Sequence, residues 1–107
     1  KFTDRQNRSA ALANGLGHPA RIAILEHLFK IQGCVCGDLV QEIGLAQPTI
    51  SQHLKELKNL GLIQGNVDGA SVCYCIDLES WAEMKGVILQ FLNSDLNIPN
   101  PCEAERS

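Results

Sequence analysis

The chain has 107 residues, 45% of them apolar, and a formal net charge of −3. That is enough for one domain with one modest core, and the chain is too apolar to be disordered. No apolar run approaches the roughly 18 residues of a membrane span and no signal-peptide pattern is present, so the expectation is a cytoplasmic protein without a membrane partner.

Thr3 or Asp4 can cap a first helix that runs to about Asn14, and Gly15-Leu-Gly-His-Pro19 breaks it. Ala20 to Ile31 reads as a second helix. Ile22, Leu25 and Phe29 form one stripe, widened by Ile24, Leu28 and Ile31, so this helix is expected to be largely buried. Cys34-Val-Cys36 is short and extended, and Gly37 or Asp38 opens a third helix to about Ile43. Gly44-Leu45-Ala46 is a tight turn into a fourth helix.

That fourth helix is the most telling. Ile50, Leu54 and Leu57 make one face apolar, while Thr49, Gln52, His53 and Glu56 fall opposite. Pro48 suits the first turn, and Gly61 can supply a left-handed cap. A solvent-facing helix usually carries Lys and Glu, whereas amides and hydroxyls are what base edges require. The charge distribution agrees. Residues 1–67 hold seven bases and five acids, with Lys55 and Lys58 on this helix; residues 68–107 hold two bases and seven acids.

Two strands follow, Leu62 to Val67 and Ala70 to Ile76, joined at Asp68-Gly69. A last helix from about Leu78 to Asn93 carries Trp81, Met84, Val87, Ile88, Phe91 and Leu92, and the tail from residue 97 to 107 is irregular. The fold class is mainly α with a small β-hairpin: a winged helix-turn-helix with an additional helix at each terminus, forming one DNA-binding and dimerisation domain over residues 1–96. Apolar terminal helices around a small core point to a homodimer seam, with Trp81 in it.

The five cysteines are Cys34, Cys36, Cys73, Cys75 and Cys102. An odd count without a secretion signal argues against a fixed disulfide framework. If the short strand at 34–36 pairs with the second wing strand, alternation turns Val35, Val72, Tyr74 and Ile76 toward the core and Cys34, Cys36, Cys73 and Cys75 outward. Directly opposed residues have Cβ atoms about 4.5–5.5 Å apart, so cross-strand pairs are the natural chelates. Soft thiolates select soft ions such as arsenite, antimonite, cadmium or lead. Cysteine is also often just a small buried hydrophobe, and Cys102, in the irregular tail, can either swing in as a ligand or do nothing.

Taken together, Leu16-Gly-His-Pro-Ala-Arg21-Ile-Ala-Ile-Leu25, Gly37-Asp-Leu-Val40, Gln47-Pro-Thr-Ile-Ser-Gln-His-Leu54 and Leu60-Gly-Leu-Ile63 resemble the ArsR/SmtB family of metal-responsive transcriptional repressors. In type the chain is most similar to the arsenic-sensing members. The resemblance covers about residues 10 to 92. It implies a homodimeric repressor of double-stranded operator DNA that is released when an inducer binds, with no permanently bound cofactor. It implies that Gln47, Thr49, Ser51, Gln52 and His53 face the DNA. Two departures stand out. The Cys-x-Cys pair sits one position earlier than in the arsenic- and cadmium-sensing members, and residues 77–95 contain no His, so the zinc site of the last helix is absent.

The functional expectation is therefore a repressor induced by a thiophilic metal or metalloid, trivalent arsenic first, through Cys34, Cys36, Cys73 and Cys75. Lys58 is expected on the DNA phosphates. The alternative is the same repressor sensing oxidants or reactive sulfur species through reversible cysteine oxidation. A structural four-cysteine zinc site is a third possibility. An enzyme is not expected: there is no Cys-x-x-Cys beside a strand–helix unit, no Ser-His-Asp pattern and no Gly-rich phosphate loop.

Overall fold

A computed structural model describes residues 1–37, 43–67, 72–94 and 102. Helix α1 spans Asp4–Leu16, α2 Pro19–Ile31 and α3 Gln47–Asn59; strands β1, β2 and β3 span Val35–Cys36, Ile63–Asn66 and Cys73–Ile76; helix α4 spans Leu78–Leu92. Residues 38–42, most of the short helix expected from Gly37 or Asp38 to about Ile43, and the turn at Asp68-Gly69 lie outside the described residues, as does nearly all of the tail.

Local chemistry explains the helix ends. Thr3 caps α1 in a capping box: its hydroxyl accepts from the Gln6 amide, while the Thr3 amide donates to Gln6 Oε1. His18 caps α2 through Nδ1, which accepts from the Ala20 amide at 3.1 Å, and Pro19 follows in the first turn. Asp77 caps α4 by accepting from the Ser80 amide. Helix α3 closes in a Schellman turn. Gly61, at φ +83°, donates to the Lys58 carbonyl, and Leu62 donates to the Leu57 carbonyl. That turn sends the chain directly into the sheet.

The sheet is antiparallel in the order β1-β3-β2. Its register pairs Val35 with Tyr74 and Cys36 with Cys73 on one side of β3, and Gln64 with Cys75 and Gly65 with Tyr74 on the other. A Cβ on Gly65 would collide with the Cys73 carbonyl oxygen and lie 2.9 Å from Tyr74 Cα, so only glycine lets β2 and β3 approach so closely there.

Leu12 from α1, Ile24, Leu25 and Leu28 from α2, and Ile50, Leu54 and Leu57 from α3 form one core with Leu62, Ile63, Val67, Val72, Tyr74 and Met84. The expectation that α2 is largely buried is corrected. Ile24, Leu25 and Leu28 carry its buried stripe, whereas Ile22, Phe29 and Ile31 are 40–45% exposed. A helix against one core can bury only one stripe, and positions 24, 25 and 28 occupy it. Trp81 meets Phe29 edge to face within the chain, with ring centroids 5.0 Å apart.

The arrangement is that of a winged helix with a helix added at each end: α3 presents one face outward, the β2–β3 ribbon forms the wing, and α1 packs beside α4.

Candidate DNA-contacting face and cysteine site

Helix α3 buries Ile50, Leu54 and Leu57 and leaves Thr49, Gln52, Lys55 and Lys58 exposed. Gln47 and Ser51 are half-buried and joined, Gln47 Nε2 donating to Ser51 Oγ at 3.3 Å. Gln52 Nε2 donates to Glu56 Oε1, also at 3.3 Å. Both amides are thus held in orientation by a neighbour one turn later, and each retains further hydrogen-bonding capacity. Lys58 reaches sideways instead, donating to the Gly65 carbonyl of β2 at 2.6 Å.

His53 departs from the sequence reading. It was expected on the outer face, but it is buried, with 8% of its surface exposed. Position 53 lies three residues after Ile50 and one before Leu54, so its angular position is at the edge of the apolar stripe. Its Nδ1 accepts from Arg21 Nε at 3.2 Å, and its ring lies 4.3 Å from that of His18. Burial lowers its pKa below the usual 6.5; the adjacent His18 and Arg21 push the same way, and Glu56 opposes them. Arg21 itself was missed as a functional candidate. Its partner is 32 positions away, and no local spacing signals that contact.

The cysteines divide as alternation predicts. Val35, Val72 and Tyr74 are buried, while Cys34 and Cys36 are exposed and Cys73 and Cys75 half-exposed. They meet in cross-strand pairs, Cys34 with Cys75 and Cys36 with Cys73, with Cα separations of 4.3 and 4.0 Å and each pair of sulfurs at disulfide bonding distance. Strand β1 brings Cys36 opposite Cys73, and the Gly37 amide continues the pairing by donating to the Val72 carbonyl at 2.9 Å. Among the described residues, no three His, Cys, Asp or Glu side chains already surround a common ion position. Cys102 is exposed and unpaired with any other cysteine.

Behind the sulfurs, Tyr74 fills the core side of β3. Desolvation raises its phenol pKa from 10.0 to about 12. The same strand therefore carries two outward sulfurs and one inward phenol.

Residues 18–64 match the bacterial regulatory protein, arsR family. The chain is 43% identical over 63 residues to the HTH-type transcriptional repressor SmtB of Mycobacterium tuberculosis, a match that covers 59% of this chain but only 46% of that protein. It is 31% identical over 104 residues to the HTH-type transcriptional regulator CmtR of Mycobacterium bovis, covering 96% of this chain and 86% of the relative. It is 34% identical over 73 residues to the HTH-type transcriptional regulator YgaV of Escherichia coli, covering 68% and 74% respectively. Among the described residues no helix is long and apolar enough to cross a membrane. The helix–turn–helix match, the near full-length likeness to a transcriptional regulator and the wing itself identify a DNA-binding regulator and not an enzyme: the chain belongs to the ArsR/SmtB family of metal-responsive transcriptional repressors.

Proposed function

We propose that this chain is a homodimeric, cytoplasmic repressor that leaves its operator when a thiophilic ion, trivalent arsenic foremost, binds the thiolates of Cys34, Cys36, Cys73 and Cys75. Residues 1–96 act as one DNA-binding and dimerisation domain. The observation that carries the reading is the pairing of four outward sulfurs across β1 and β3. Packing alone gives no reason to place four cysteines on the wet side of a sheet whose other side is filled by Val35, Val72 and Tyr74.

Reduction comes first, because a disulfide sulfur is not a thiolate donor. Each reduced pair would supply two soft ligands, and a cysteine of the neighbouring pair would be the nearest source of a third. On the proposed DNA side, Thr49 and Gln52 are exposed on α3, Gln47 and Ser51 are half-buried beside them, and Lys58 is exposed at its end. The dimer reading rests on the cleft of about 570 Å³ between α1 and α4, bordered by Ala10, Ala13, Val87, Ile88 and Phe91. Phe91 at the cleft and the next residue, Leu92, are about two-thirds exposed. A second copy covers such apolar area and gives the two-fold symmetry that operator half-sites use.

One observation favours a second reading: the strand register sets the cysteines of each pair directly opposite one another. Oxidation, with two protons and two electrons lost per pair, is then itself the signal. The test is titration of the protein–operator complex under reducing conditions with arsenite or cadmium, following DNA release and sulfur-to-metal charge-transfer absorbance together. Release with absorbance supports the ion reading. Release by oxidant alone replaces it with the redox reading.

A further inference from the structure

The junction of α1, α2 and α3 holds a polar cluster that the proposed function does not use. Arg21, in the first turn of α2, donates from Nε to His53 Nδ1 on α3 at 3.2 Å and from Nη1 to the Gly15 carbonyl of α1 at 3.1 Å. One guanidinium thus ties three helices. His18 keeps its own Nδ1 occupied by the Ala20 amide, so it packs against His53 as a ring and does not compete for Arg21.

The bond dictates the chemistry of His53. Arginine is always a donor, so Nδ1 must be unprotonated and the neutral ring carries its proton on Nε2. His53 lines a shallow concavity of about 370 Å³ together with Arg21, Thr49 and Gln52. The fixed ring therefore shares that concavity with side chains assigned to the DNA. Leu54, the next residue, is fully in the core, so any roll of α3 that moves Gln52 must also break the Arg21 bond or unseat Leu54.

We propose that Arg21 is a positioning residue for operator binding, which acts through neutral His53 to fix the roll of the recognition helix. The proposal rests on the reading that α3 meets DNA. It carries a pH dependence. A proton on Nδ1 removes the acceptor and sets a second positive charge against Arg21. The charged and titratable groups that face His53 are His18 and Arg21 from the α2 side and Glu56 on its own helix, and only Glu56 favours that proton.

The test uses the full chain and two probes: a duplex selected from a random library by the parent protein, and an unrelated duplex of equal length. Arg21→Gln and His53→Leu are expected to weaken the selected duplex about tenfold or more, with little change on the unrelated one. His53→Asn, whose amide oxygen can stand in for Nδ1, should stay within about threefold of the parent. As pH falls below 6.5, the usual histidine value, the parent should lose preference for the selected duplex, whereas His53→Asn should show a flat profile. Imidazole ¹⁵N shifts of the unliganded parent report the tautomer even if a variant fails to fold, and a proton on Nδ1 would overturn the proposal. So would His53→Asn and His53→Leu binding alike, or a flat pH profile for the parent. Variants indifferent beside a discriminating parent overturn the role of Arg21 alone. A parent that binds no duplex overturns the DNA-binding reading and the proposal with it.

Discussion

The Lys58 ammonium lies 2.6 Å from the Gly65 carbonyl oxygen and joins the end of α3 to the first strand of the wing. Lys58 is thus a structural tether, and on the proposed reading also a positive charge beside the DNA face. Replacement by Ala should weaken selected and unrelated duplexes alike and reduce the salt dependence of binding by about one counterion. It should also speed amide exchange in β2, which a phosphate contact alone does not predict. Binding isotherms at several salt concentrations, paired with hydrogen exchange, check both.

Gln52 is exposed, and its amide is oriented by Glu56. Gln52→Ala should cost about 1–3 kcal/mol on the selected duplex and leave unrelated DNA almost unaffected, because only base readout is lost. Equal losses on both probes would assign Gln52 to the backbone instead.

The cysteine pairs span 41 and 37 residues of sequence. On the loop-closure account, the oxidised chain should exceed the reduced chain in stability by about 4 kcal/mol. The second bond closes almost the same loop, so it adds little. Cys34→Ser should leave Cys36 and Cys73 able to pair; Cys34→Ser with Cys36→Ser should abolish induction while leaving DNA affinity intact. Denaturant titrations with and without reductant measure the first effect, and operator release measures the second.

Phe91 projects from α4 beside the α1–α4 cleft and is 67% exposed. Phe91→Glu should leave the monomer fold unchanged, yet sediment as a monomer at micromolar concentration and lose operator affinity. A parent already monomeric at that concentration would remove the dimer from the proposal.

Tyr74 is the single tyrosine, so phenolate absorbance reports it alone. Its folded pKa is raised from 10.0 to about 12, so the unfolded chain releases this proton first. Its contribution to stability is complete below pH 10.0 and is lost as pH rises toward about 12. Spectrophotometric titration should show phenolate forming well above pH 10 and together with the loss of far-UV ellipticity. Ionisation near pH 10 in the folded chain would contradict the burial of this ring.

The outward turn of the cysteines was legible because alternation needs only the neighbouring residues: Val35 and Tyr74 are apolar and must face the core, which leaves the sulfurs outside. The helix caps at Thr3 and Gly61 were equally local. His53 was misplaced because it sits where the apolar stripe ends, and helical spacing alone does not say whether a polar residue at that edge turns in or out. Only the arrival of Arg21 from another helix decides it. The exposure of Ile22, Phe29 and Ile31 was hidden for a related reason: their spacing looks buried, but α2 meets the core along a narrower strip.

In β3 the proposed ligand positions Cys73 and Cys75 flank Tyr74, each one residue from it in sequence and on the opposite side of the sheet. Selection can therefore rewrite the donor atoms, exchanging sulfur for oxygen or nitrogen, without disturbing the residues that make the chain fold. A lineage with this scaffold can change what it detects by editing the wet face of two short strands, while the helix that finds the operator keeps its address.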